Sequence, residues 1–286
     1  MATGSAVDTM VTLEGTGQPY ALDTFSGAIT PITTFVRRGG TVTVRVSLAR
    51  DASTVIALSD APRPFAAARP GNSVVSTTAD SSALVGGSLV VRAAAAGTYQ
   101  TTLSSGSRVR SVIGSVPAVL DLTGQAWQLD AEDWTPTNPY GTVGAAGSET
   151  TKVPVSVALT SLKAWPDIPE LANASGVGTY TTTVTLPASW DATHGATLDL
   201  GRVTDTFTLA VNGQTVAVDQ ISAQADVGNL LHAGSNTIVV RVATTLGNRL
   251  FALDAAVRNR GVVQEYGLVG PVVLTPYRQA VVWRAR

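Results

Sequence analysis

The stretch DTFTLAVNGQTVAV, residues 205–218, decides the fold. It reads as two strands folded around Asn212 and Gly213, the residue pair that supplies the positive φ values of a tight type I′ turn. Counting outward from the turn sets Val211 opposite Gln214, Leu209 opposite Val216 and Phe207 opposite Val218. Opposed residues of an antiparallel pair share a face, and successive residues alternate between faces. Phe207, Leu209, Val216 and Val218 therefore form an apolar side, with Thr206, Thr208, Thr215 and Ala217 on the other. This is a half-buried hairpin, and the same period-2 signature recurs along the chain.

TVTVRVSLA places Val42, Val44, Val46 and Leu48 on one face, and Gly39–Gly40 turns it back towards AITPITTFV. SLVVRA, TYQTTL and RVRSVI follow, divided by Gly and Ser turns. Short strands at regular spacing with no helical pattern between them predict an all-β protein of sandwiches or barrels. Composition agrees: charged residues are only 14% of the 286, and Thr, Ser, Gly, Val and Ala replace them. The break comes at GSVPAVLDLTG (114–124), after which all five tryptophans occur. We expect two β-sandwich domains, 1–118 and 119–286. The second has roughly eight strands, which suits a jelly roll. Within it the reading gives strands at 127–134, 152–159, 178–186, 196–203 and 236–243, with a short turn or helix at 226–231.

A net charge of −1 provides no field for nucleic acid or an anionic membrane. The longest uncharged run, Leu171–Trp190, is too rich in Thr, Gly and Ser to span a bilayer. Cysteine is absent, which excludes disulfides and thiol chemistry. Lysine is nearly so, with only Lys152 and Lys163, a bias expected of a GC-rich bacterial genome. The opening MATGSAVDTM has no apolar signal region and reads as the interior of a longer protein given a start codon.

There is no phosphate-binding loop, dinucleotide fingerprint, HExxH helix or GxSxG elbow. The two histidines, His194 and His232, fall in turn-like contexts and read as surface residues. Glu132 and Asp133 are adjacent and, on a strand, point to opposite faces. Asp167 and Glu170 share one loop and could converge, and Glu265 sits on a late strand. Each carboxyl reads as structural or solvated rather than as one of a catalytic pair across a sugar bond. Sugar binding asks for less: an exposed aromatic to stack on a ring and a few fixed polar groups. Trp134, Tyr140 and Trp165 stand at strand ends or in loops where a rim would form, with Asp167, Arg249 and Glu265 as polar candidates. Trp165 has a competing reading as an anchor pinning its proline-stiffened loop to the sheet. A structural Ca²⁺ would need only loop oxygens, but Asp219, Asp226 and Glu265 are scattered, so no cofactor or metal is implied.

LDLGRVTDTFTLAVNGQTV followed by ADVGNLLHAGSNTIVVRVATTLGNRL resembles the sugar-binding-type, galactose-binding-like jelly roll of family 2 glycoside hydrolases. Asn212, Gly213, Asp226, Leu230, Leu231, Gly234, Asn236 and Ile238 carry that likeness. LKAWPDIPELANASGVGTYTTTVTLP and the closing YGLVGPVVL are more specifically similar to the C-terminal part of family 106 glycoside hydrolases, the α-L-rhamnosidase type. YALDTFSGAITPITTFVRRGGTVTVRVSLARDASTVIAL resembles the segment after the catalytic barrel in that family. The resemblance implies a non-catalytic accessory region of a secreted bacterial enzyme. Its partners would be an upstream catalytic barrel and a polysaccharide or oligosaccharide, with rhamnose-containing chains the implied class. The family's catalytic carboxylates lie on a barrel this chain lacks, so no catalytic residue carries over. A stand-alone β-sandwich glycosidase or lyase and a structural spacer are the competing classes.

Overall fold

A computed structural model describes residues 4–48, 50, 52–61, 71–137 and 150–284. Strands make up 55% of the described residues and helices 8%, so sheets build the cores. The residues gather into two compact units. The first comprises 1–118, 191–197 and 275–286, and the second 119–190 and 198–274. The chain therefore departs from a single linear division at 118/119, because two later stretches return to the first unit. No helix of the described residues is long and apolar enough to cross a membrane.

Unit 1 begins with β1 (Val7–Glu14), β2 (Gln18–Leu22), β3 (Ile29–Pro31), β4 (Phe35–Arg38), β5 (Thr41–Leu48) and β6 (Val55–Ser59). These form two three-stranded sheets, ordered β1-β5-β4 and β3-β2-β6. Phe35, Val42 and Val44 form a buried cluster against which Val11, Ile32, Val46, Ile56 and Leu58 pack. The apolar face anticipated from TVTVRVSLA is thus the filling of a sandwich. Next come β7 (Val74–Thr77), β8 (Ser81–Val85), β9 (Ser88–Ala93), β10 (Gly97–Leu103) and β11 (Arg108–Ile113). A second cluster holds Val74, Leu89, Val91, Leu103 and Val282, closed by Tyr99 and Trp283. Val282 and Trp283 come from the returning C-terminal strand, which pairs antiparallel with β9.

Unit 2 contains β12 (Leu120–Asp121), β13 (Trp127–Pro136), β14 (Thr150–Leu159), β15 (Gly176–Leu186), β16 (His194–Asp199), β17 (Arg202–Thr204), β18 (Thr206–Val211), β19 (Gln214–Val216), β20 (Gln224–Asp226), β21 (Gly234–Ala243), β22 (Gly267–Gly270) and β23 (Val273–Arg284). Of these, β16 and β23 lie mostly in unit 1, with only 198–199 and 273–274 belonging to unit 2. The main sheet has the order β14-β13-β15-β21-β18-β19. Its inward residues alternate as the pleat requires: Gly178, Tyr180, Thr182 and Val184 on β15, and Asn236, Ile238, Val240 and Val242 on β21, are buried. The deciding hairpin has the expected register, Val211 opposite Gln214 and Leu209 opposite Val216. Phe207 and Leu209 are buried while Thr206 and Thr208 are exposed.

Three local expectations change. The strand expected over 196–203 is two strands, because Gly201 takes φ +61 and its amide is held by the Asp199 carboxylate at 2.7 Å. GNRLFAL (Gly247–Leu253) is a helix, α1, followed by α2 (Ala255–Arg258), whose first amides are capped by Asp254. His194 is not a surface residue: its side chain is only 4% exposed and its Nδ1 lies 2.9 Å from Asp191 Oδ1. His232 is exposed as anticipated.

Candidate functional site

The main sheet of unit 2 has two ends, and both carry residues singled out by the sequence. At the end formed by the β18–β19 turn and the start of β21, Asn212 and Asn236 lock the backbone. The Asn212 side-chain amide donates to Leu230 O at 2.8 Å and to Asn236 Oδ1 at 2.9 Å, while its own oxygen accepts from the Thr237 amide. Asn236, fully buried, accepts from the His232 amide and donates to the carbonyls of His232 and Gly234. Asp226 accepts from the Gly228 amide. The residues most conspicuous in the sequence therefore tie loops to one another.

The opposite end gathers Asp133 and Trp134 from β13, Ser175 and Gly176 from the start of β15, and Arg249 from α1. Asp133 pairs with Gly176 across the sheet. Its Oδ2 accepts from Arg249 Nη2, in an ion pair whose side chains are 14% and 19% exposed. The Arg249 amide donates to Ser175 Oγ at 3.1 Å, and the Trp134 amide donates to Ser175 O at 2.8 Å. Asn248, the neighbour of Arg249, is pinned by two 2.8 Å hydrogen bonds to the main chain of Gln264. Arg249 Nε is buried and has no hydrogen-bond partner among the described residues. A buried donor left unmatched costs about 1–3 kcal/mol, so the polar network at this end is incompletely satisfied among the described residues.

Beside the pair, Trp134 is half-buried on the outer part of the strand. Its indole N–H donates to Glu132 Oε2 at 3.1 Å, and Lys152 Nζ sits 4.7 Å from the ring centroid and 3.4 Å from Glu132 Oε2. The indole hydrogen bond is the largest of the causes holding the Glu132 carboxyl below its ordinary value of 4.5; desolvation, second in size, opposes it, and the Lys152 ammonium adds a smaller lowering. The end thus presents a partly open indole beside a paired, largely buried guanidinium, with the Ser175 hydroxyl buried behind them, and an aromatic face next to a fixed polar group suits a sugar ring.

Of the six residues nominated from sequence, Trp134 and Arg249 meet here. Trp165 does not. It is wholly buried, donates its indole N–H to Tyr180 Oη at 2.7 Å and meets Tyr266 edge-on with ring centroids 6.5 Å apart. A Cβ on Gly178 or Gly267 would come within 2.6 to 2.7 Å of its ring. Trp165 thus offers no face for a sugar ring, and the anchor reading is the one its packing supports. The same burial pushes the Tyr180 phenol up to about 12. Asp167 is exposed in a single 3₁₀ turn. Glu265 forms an ion pair with Arg202 in which both side chains are more than half exposed. Tyr140 lies outside the described residues. Asp133 and Ser175 were missed as binding candidates, since their role exists only through Arg249, 116 residues from Asp133.

Residues 152–255 match a family model described as "Glycosyl hydrolases family 2, sugar binding domain". This part of the chain is glycoside-hydrolase-related. The matched span runs from β14 to α1 and includes Ser175, Asn212, Asn236 and Arg249. Among solved structures, a rhamnosidase from Novosphingobium sp. PP1Y superposes with a TM-score of 0.58 at 21% identity, over 97% of this chain and 22% of that one. The chain thus shares that fold and spans about a fifth of that protein's length. A Faecalibacterium prausnitzii β-glucuronidase (TM-score 0.34, 20% identity, 59% of this chain and 33% of that one) and an Eisenbergiella tayi GH2 β-galacturonidase (0.34, 16%, 57% and 24%) are more distant. No curated protein matches the chain.

Proposed function

We propose that this chain is the non-catalytic accessory region of a secreted bacterial glycoside hydrolase of the family 106, α-L-rhamnosidase type. In this reading it supports a catalytic barrel upstream, and its jelly-roll unit holds polysaccharide through the Asp133–Arg249 end. A tethered binding unit raises the local concentration of substrate without adding chemistry of its own. The observation that carries the reading is that the residues matched to the sugar-binding model, 152–255, supply Ser175 and Arg249, which meet Asp133 in one cluster. The acids nearby are already engaged, Asp133 with Arg249, Glu132 with Lys152 and Glu265 with Arg202.

Affinity electrophoresis in gels containing rhamnose-rich polysaccharides tests this directly. The chain should be retarded, and Arg249→Ala, with an unchanged circular dichroism spectrum, should run free. Retardation of neither protein by any polysaccharide would favour the spacer class. Release of reducing sugar by the isolated chain would make it an enzyme in its own right.

A further inference from the structure

Unit 1 carries a recess of about 200 Å³ remote in sequence from the residues just described. Asp80, Ser81, Arg92, Thr197, Thr275 and Tyr277 line it, and all belong to unit 1. Strand pairing builds it: Ser81 stands opposite Arg92 on β8 and β9, and β23 runs beside β9. Two contacts fix the Tyr277 ring. The Arg92 guanidinium lies 4.6 Å from its centroid, and a Cβ on Gly195 would come within 2.3 Å of it. Asp80 is held from behind, its Oδ2 accepting from the Ala94 amide at 2.8 Å and its own amide donating to Arg92 O at 3.0 Å. The walls are therefore set before any ligand arrives, which reduces the ordering cost of binding.

The chemistry of the lining selects a class of ligand. Hydroxyls of Ser81, Thr197 and Thr275 both donate and accept, the Arg92 guanidinium only donates, and the Asp80 carboxylate only accepts. One positive and one negative group face the same space, so neither an anion nor a cation is favoured overall. The volume lies below the roughly 300–1,000 Å³ of sites for drug-sized molecules. The geometry points to a site for one neutral sugar residue, held by its hydroxyls and walled by Tyr277. This site is separate from the Asp133–Arg249 end and does not depend on it. Two sites on one chain would hold a polysaccharide at two points and multiply a weak affinity at each.

Amide chemical-shift mapping on the full chain tests it. The probes are L-rhamnose, D-galactose and an oligosaccharide ending in rhamnose. We expect saturable shifts with millimolar midpoints at the amides of Ser81, Ala94, Thr197 and Thr275. Shifts with the free sugars define a site for a single residue, and shifts with the oligosaccharide alone define one for a chain end. Ser81→Phe, an exposed position that would fill the recess, should abolish these shifts. Asp80→Asn keeps the acceptor for the Ala94 amide and should weaken binding several-fold with the spectrum otherwise unchanged. Absence of shifts at these four amides with every probe overturns the proposal, as does their persistence in Ser81→Phe. Shifts at residues 133–134, 175–176 and 248–250 would report the jelly-roll site instead, so the two readings stand or fall separately.

Discussion

The two ends of the main sheet in unit 2 are built from similar materials and finished differently. At one, Asn212 and Asn236 spend their side-chain donors and acceptors on backbone groups and on each other, and Asn236 has no exposed surface. At the other, Asp133 and Arg249 pair through one nitrogen, leaving Arg249 Nε buried with no partner among the described residues and Trp134 half open to solvent. A closed polar network specifies a fold, whereas one with a donor to spare leaves an energetic reason for something else to arrive. Sequence prominence followed the first kind of network.

Mutation can break or sharpen this contrast. The largest effect should come from Asn236→Ala. It removes four hydrogen bonds and strands buried backbone groups, so stability should fall by about 3 kcal/mol, read from urea denaturation. Polysaccharide retardation should be unchanged wherever the variant remains folded. Arg249→Ala should reverse the pattern. The pair is neither fully buried nor exposed, and its loss should cost about 2 kcal/mol, between the ranges for buried and surface pairs. Retardation in the gel should disappear. Equal loss of binding in both variants would erase the distinction between the ends.

Trp134→Ala should be milder, lowering stability by about 1 kcal/mol through lost apolar burial and weakening binding about tenfold, the equivalent of one good aromatic contact. The smallest effect concerns protons. Glu132 has its carboxyl lowered first by the Trp134 indole and then by Lys152. A group lowered in the folded state stabilises above its unfolded pKa, and that contribution disappears as pH falls through the folded value. The Glu132 carboxyl resonance should therefore titrate below 4.5 and move upward in Trp134→Phe. A midpoint unmoved by the substitution would remove the indole from the account.

How far the sequence could be read depended on the range of the interaction concerned. The 205–218 hairpin was legible because its register is set by a two-residue turn and a period-2 pattern, both local. The gathering of Trp134 with Arg249 was legible only as two nominations, since Asp133 and Ser175 join them from distant stretches. Trp165 looked available because its loop is polar and proline-rich. What buries it is the space left by Gly178 and Gly267, the latter about a hundred residues on. Helix α1 leaves little trace in the sequence because GNRLFAL is short, begins at a glycine and has no side-chain cap.

The return of residues 191–197 and 275–286 to the first unit has a bearing on how this polypeptide can be divided. A gene cut after codon 118 would leave the front half without the strand that covers β9, and Val282 and Trp283 would be missing from its core. The bared edge of β9 would be ready to recruit neighbouring molecules. Anyone wishing to graft the jelly roll onto another protein must take its companion too, since β16 and β23 cross from one unit to the other.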